Sequence, residues 1–362
     1  MRSLRISIAA IVASLISIGI IMIYSSSGVY ALQELGDASY FLNRHLLFLM
    51  IGLVATSLVM AIDYRDIQKW SKPIMLFAVF LLFLVLIPEI GKASYGARRW
   101  FRIGSISFQP SEFAKLAVII YTADFLTRKK DRIQNFWLGF MPMMMVLGVV
   151  CILILKQPDL GNAVLIAAMV MIMMFIAGAK TQHIVGFGLL SLPALYWLVV
   201  RVPYRMKRIA AFWDPWQDPL GVGFQLSQSQ IALGSGGLWG VGLGKSVQKL
   251  FYLPAAHTDF ILSIIGEELG LLGTFSIIFL FAAFIWQGAR IAKRTLEPFG
   301  YYVCIGIIAM LGLQALVNIG VSIGALPTKG LPLPFISYGG SALVFHMISI
   351  GLLLNISRVQ DL

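Results

Sequence analysis

Long apolar runs separated by short polar links set the pattern of this chain. They fall near 5–25, 45–62, 73–88, 110–127, 135–155, 160–178, 184–200, 260–288, 300–323 and 341–357. A hydrocarbon core of about 30 Å is crossed by about 17–25 apolar residues in a helix. The runs are too long and continuous for the alternating strands of a membrane barrel. The pattern therefore predicts an all-α polytopic membrane protein of about ten transmembrane helices. The first run follows MRSLR, exceeds the core of a secretory signal and ends at SSSG, a poor cleavage match. It is expected to stay as the first helix.

One link breaks the pattern. Residues 201–258 are too polar and too rich in Gly and Pro for a plain span. They read as a long extracytoplasmic loop between spans seven and eight, inside a single integral-membrane domain, 1–362. Loops of that length usually carry a function.

Composition agrees with the pattern. The chain is 59% hydrophobic and 12% charged, against about 25% charge in soluble domains, so a water-soluble globule is excluded. Cys151 and Cys304 lie inside apolar runs and suggest neither a disulfide framework nor a metal site. The net charge of +12 changes the picture more. With the N-terminus inside, the cytoplasmic links hold Arg65, Lys69, Lys72, Arg128, Lys129, Lys130, Arg132, Arg290, Lys293 and Arg294. The outer side is nearly as basic, against the usual asymmetry. Its cations gather in GKASYGARRWFRIG (Lys92, Arg98, Arg99, Arg102) and in the long loop (Arg201, Arg205, Lys207, Arg208, Lys245, Lys249). Two readings fit: an outer face that attracts an anionic substrate, or a rim facing anionic lipid headgroups. Neither calls for a nucleic acid.

Chemistry concentrates in HTDFILSIIGEELG, His257 to Gly270, which opens the eighth span yet carries three carboxylates. Each costs about 2.5–3.5 kcal/mol near a bilayer centre unless partnered. Thr258 or Asp259 could cap the helix, or Asp259 could do chemistry at the outer lip. Glu267 and Glu268 lie about 12–14 Å deeper and need partners in the membrane, so they read as structural or coupling groups. His257 and Asp259 are too few for a metal site; a divalent cation stays open, without a complete ligand set.

Other motifs flank this one. In FQPSEFAK, Pro110 suits a helix start, and Glu112 and Lys115 share a face. They form either an internally neutralised pair or a cation held one turn below the surface, next to Arg98 and Arg99. GSGGLWGVGLGKS resembles a phosphate loop, but Trp239 stands where the first glycine is required. Lys245 likewise breaks a dinucleotide fingerprint. GALPTKGLPLPFISYGGSALV predicts irregular backbone, tolerated at membrane depth only where it is buried or lines a cavity. Lys329 adds a cation there, and Gln157, Pro158, Asp159 and Gly161 mark another outer corner.

GARRW with QPSEFAK, QPDLG, FWDPWQDPLGVGFQLSQSQIALGSGGLWGVGLG, KLFYLPAAHTDFILSIIGEELG and GLPLPFISYGGSALV occur in this order over nearly the whole chain. The set resembles the SEDS family of bacterial shape, elongation, division and sporulation proteins, and KLFYLP is more similar to its FtsW/SpoVE branch than to its RodA branch. The resemblance implies a peptidoglycan glycosyltransferase acting on lipid II and a growing glycan strand. It also implies a class B penicillin-binding protein as partner, in the bacterial cytoplasmic membrane. It places the essential acid on Asp259 and cationic roles on Arg99 and Lys115. Arg98, Glu112 and His257 join them as candidate substrate-binding residues. One departure stands out: Ala255 occupies a position where the family usually has glutamate, so no role transfers there. A lipid II flippase and a non-catalytic scaffold for the transpeptidase are the competing readings.

Overall fold

The computed structural model describes residues 1–94, 97–104 and 106–359. Its first helices are α1 (Arg2–Leu35), α2 (Tyr40–Ala61), α3 (Tyr64–Lys69) and α4 (Ser71–Leu84). After a small sheet come α5 (Pro110–Arg128), a π turn (Phe136–Phe140) running into α6 (Met141–Lys156), α7 (Leu160–Ile176) and α8 (Thr181–Val200). Then follow α9 (Pro203–Trp213), α10 (Phe224–Ser235), α11 (Ile261–Arg294), α12 (Pro298–Ser322) and α13 (Gly340–Val359).

Every apolar run read from the sequence holds a helix, although the 73–88 run leaves it after Leu84. Seven helices among the described residues are long and apolar enough to cross a membrane: α1, α2, the continuous 136–156 segment, α8, α11, α12 and α13. α4 and α7 are apolar but shorter. α5 is 19 residues long and carries Glu112, Lys115, Asp124 and Arg128. The protein is a multi-pass membrane protein.

The charged helix is the central one. α5 is buried along nearly its whole length and packs against α4, α7, α12 and α13. Small residues allow that approach. On α12, a Cβ at Gly306 would lie 2.6 Å from Cγ2 of Ile119. α8 is the opposite case, with none of its residues buried.

Three features depart from a plain helical bundle. The GARRW region folds as a three-stranded antiparallel sheet, β1 (Lys92–Ser94), β2 (Ala97–Ile103) and β3 (Ile106–Phe108), with Phe101 paired to Phe108. Aromatic and β-branched side chains favour that pairing over a loop. The 201–258 segment contains α9 and α10. α11 breaks at Gly270, at φ 69° and ψ −163°.

The break explains the glycine-rich run. A helix interrupted away from water must have its freed backbone groups satisfied from elsewhere. Val241 and Gly242 donate to the carbonyls of Glu267 and Glu268 at 2.9 and 3.0 Å, and Leu271 donates to Gly237 at 2.9 Å. Gly240, at φ 80°, lies against Gly270, and a Cβ on either would meet the other's backbone. The glycines wedge one backbone against another; they do not cradle a nucleotide.

Candidate active site

The HTDF turn is shaped by backbone, not by its side chains. Ala255 adopts φ 59°, a left-handed conformation unfavourable for a residue with a Cβ. Its carbonyl accepts the N–H groups of Thr258, Asp259 and Phe260 at 3.1, 3.1 and 3.3 Å. The expected side-chain cap from Thr258 or Asp259 is not made: α11 starts after Phe260 with no capping hydrogen bond. The Thr258 hydroxyl instead donates to the Ala255 carbonyl at 3.2 Å. With the three N–H groups already bonded to Ala255, the Asp259 carboxylate is left over.

That carboxylate makes no hydrogen bond to the described residues. It is half-buried, and densely packed protein around it pushes its pKa from 3.8 up to about 6, with Arg208 pulling the other way. Arg208 lies on α9, and its Nη1 donates to the Thr328 carbonyl at 2.8 Å. The 325–335 loop thereby joins the site. A Cβ on Gly330 would sit 3.1 Å from Oδ2 of Asp259. The neighbouring Lys329 has its pKa lowered, by burial first and by Arg205 in lesser part, while Asp159 opposes both. Asp259 is thus bordered by Arg208 and by the loop that carries Lys329 and Gly330.

The QPDLG corner closes the same side. Arg99 on β2 donates from Nε to Gln157 O at 2.8 Å and from Nη2 to Pro158 O at 2.6 Å. Its Nη1 is 3.9 Å from Oδ2 of Asp159. Arg98 is exposed on the same strand.

A family model settles the relationship. The FtsW/RodA/SpoVE model, described as cell cycle protein, matches residues 5–362. The chain belongs to this family. It is 48% identical over 339 residues to the probable peptidoglycan glycosyltransferase FtsW of Geobacter sulfurreducens, covering 94% of this chain and 91% of that one. Stage V sporulation protein E of Bacillus subtilis is 45% identical over 344 residues, covering 95% and 94%. Within the family the chain lies closer to the FtsW/SpoVE branch. A solved chain, from "Structural coordination of polymerization and crosslinking by a peptidoglycan synthase complex", superposes with a TM-score of 0.80 at 28% identity, over 98% of this chain and 97% of that one.

The other candidate residues of this family member fall in three places. Lys115 is fully buried and paired with Glu112 at 2.8 Å. Of the two sequence readings of this pair, the structure adopts the neutralised one. Glu112 Oε2 is 4.0 Å from His346 Nε2 and has no hydrogen bond. His257 packs among the rings of Phe41, Tyr30 and Tyr338, with centroids 4.5–6.0 Å away, and burial lowers its pKa to about 4. Its ring is neutral at pH 7.

Glu267 and Glu268 have partners that the sequence did not show. Glu267 accepts from Val247 N at 2.9 Å, Gln248 N at 3.4 Å and the Ser246 hydroxyl. Glu268 pairs with Lys249 Nζ at 2.8 Å and accepts from Ser25 Oγ at 2.7 Å. Lys249, counted from the sequence among the outward cations, is 5% exposed at its side chain.

Sequence reasoning passed over Arg208 as the cation beside Asp259. Arg205 and Arg208 sit three apart on α9 and share a face, a signal available in RVPYRMKR. Among the described residues, no group of three or more His, Cys, Asp or Glu is placed to hold a metal ion.

Proposed function

We propose that this protein is a peptidoglycan glycosyltransferase with Asp259 as its general base. It links lipid II disaccharides into glycan strands and releases polyprenyl pyrophosphate. The observation that carries the reading is the Asp259 carboxylate, held beside Arg208 without a hydrogen-bond partner among the described residues. The acceptor's 4-hydroxyl attacks the anomeric carbon of the growing chain. The new C–O bond forms as the bond to the lipid pyrophosphate breaks, and the hydroxyl proton passes to Asp259. A base with a pKa near 6 is mostly ionised at pH 7 yet basic enough to take that proton, worth about 10²–10⁴-fold in rate. The leaving pyrophosphate needs cations. Arg208, Lys329 and Arg205 are best placed to serve it, with Arg98 at the rim. Single displacement inverts the anomeric carbon.

The proposed topology has ten spans, cytoplasmic termini and the 201–258 segment outside, all within one domain, 1–362. This puts Asp259 at the outer face of the membrane. The partner is a class B penicillin-binding protein, a reading supported by the structural relative from a peptidoglycan synthase complex. A flippase would need its deep charges free to exchange partners near the midplane. Glu267 and Glu268 are each fully engaged, which weighs against transport. A pure scaffold leaves the Asp259 carboxylate, set beside Arg208, without a purpose.

Purified protein, alone and with its class B partner, given lipid II in detergent separates these readings. Glycan strands support the glycosyltransferase. Lipid II movement across proteoliposomes without strands supports the flippase, and neither activity supports the scaffold.

A further inference from the structure

The HTDF turn and the 329–333 loop are tied together by the Asn318 amide and by the Ser337 hydroxyl, which accepts from Leu333 N at 2.8 Å and donates to the Thr258 carbonyl at 2.6 Å. Asn318 on α12 is 1% exposed, and its Nδ2 donates to the Asp259 carbonyl and to the Leu331 carbonyl, both at 2.8 Å. Both protons of that NH2 are used, on two separate segments of chain. One helical turn earlier, Gln314 Nε2 donates to the Pro332 carbonyl at 2.9 Å. Gln314 Oε1 accepts from Lys115 Nζ at 3.1 Å and lies 3.3 Å from His346 Nε2. Two consecutive carbonyls of the loop therefore hang on two amides four residues apart. Lys115, itself held by Glu112, orients the second amide.

We infer that Asn318 is a positioning residue for glycosyl transfer, and that Lys115 acts through Gln314 to the same end without touching substrate. The inference rests on Asp259 being the base. The Asn318 bridge holds the Asp259 end of the turn against the Lys329–Gly330 wall, while Ser337 fastens the Thr258 end. Gly330 leaves the gap into which a hydroxyl must fit, since a Cβ there would stand 3.1 Å from Oδ2. Lys115 is fully buried and neutralised by Glu112, so a phosphate could reach it only by opening the core. Misplacing a reacting group by about 1 Å costs about 10²-fold, which makes so small a bridge matter.

The test uses the full-length protein with Asn318→Ala, Lys115→Met and Gly330→Ala. It measures kcat and KM for lipid II, the pH dependence of kcat/KM, and hydrogen–deuterium exchange. Asn318→Ala is expected to lower kcat by about 10–100-fold with KM within about threefold. Its acid limb should move to lower pH as water reaches Asp259, whose charged neighbours are Arg208 on α9 and Lys329 on the loop, with His257 neutral nearby. Exchange in 255–259 and 328–333 should rise together, which reads the bridge independently of any activity. Gly330→Ala, which disturbs no bridge, should lower kcat with an unchanged unfolding temperature. Lys115→Met should lower kcat without raising KM. Wild-type kcat in Asn318→Ala, or exchange rising in one segment only, would overturn the bridge. A KM increase confined to Lys115→Met would overturn the indirect role and make that lysine a substrate contact. Failure of the wild-type protein to polymerise lipid II would sink the proposed function, leaving the exchange result to decide the bridge.

Discussion

Asp259 and the Glu267–Glu268 pair sit eight and nine residues apart around the start of the same helix, and their environments are opposite. Glu267 and Glu268 are 2% and 1% exposed, and each carboxylate is met by hydrogen bonds or by Lys249. Asp259 is half-buried, has no hydrogen-bond donor among the described residues, and is raised in pKa. A protein that must bury charge for structural reasons satisfies it. A carboxylate left unsatisfied beside an arginine is held ready for a proton that is not its own. The three acids thus divide into one carboxylate that we propose as the reacting group and a pair that forms a joint. The joint matters in its own right, because the wedge of 236–249 against the Gly270 break is fastened at Glu267 and Glu268.

The comparison breaks most visibly at the joint. Glu268→Ala leaves Lys249 buried without its partner and should cost about 3–5 kcal/mol of stability, read from denaturant or thermal unfolding in detergent. The protein that remains folded should still polymerise. Unchanged stability with lost activity would move Glu268 to the reacting side. Ser246→Ala removes one donor to Glu267 and should cost about 1–3 kcal/mol by the same measurement, with kcat little changed. At the reacting side, Arg208→Ala removes the cation that holds the Asp259 pKa down. The acid limb of kcat/KM should then shift upward by about one pH unit or less. In the wild type that limb should fall tenfold per pH unit below about 6, because only ionised Asp259 accepts the proton.

The smallest effect is on stability. The fold raises the pKa of Asp259 above 3.8, so between these values the folded state holds more protons than the unfolded one. Stability contributed by the protonated group is fully present below 3.8 and is lost as pH rises through about 6. Asp259→Asn should therefore stabilise the protein at pH 8, by about 1 kcal/mol once the water access of a half-exposed group is allowed for. Glu268 variants should do the reverse.

Much of this was legible in the chain. The apolar runs located every long helix because periodicity and length are local properties. Asp259 stood out as one of three carboxylates opening a span, and its role as the essential acid came from the resemblance to the SEDS family. The partners of Glu267 and Glu268 were hidden, although all but Ser25 lie only 19–21 residues upstream. Finding them required knowing that a glycine run wedges into a broken helix. Arg208 was equally hidden, since its place depends on α9 meeting a loop 120 residues away. The sheet at Lys92–Phe108 was read as a basic link because its short strands offer little alternation. For Lys115 the pair with Glu112 and a cation one turn below the surface both stayed open, because sequence cannot show that Gln314, 199 residues on, closes over it.

The central claim, that Asp259 is the proton acceptor in glycan polymerisation, is tested most directly by purified Asp259→Asn protein supplied with lipid II and its class B partner. The account predicts a folded protein at least as stable as wild type that has lost about 10²-fold or more of its polymerisation rate. Glycan strands made by Asp259→Asn at wild-type rate and length would contradict it.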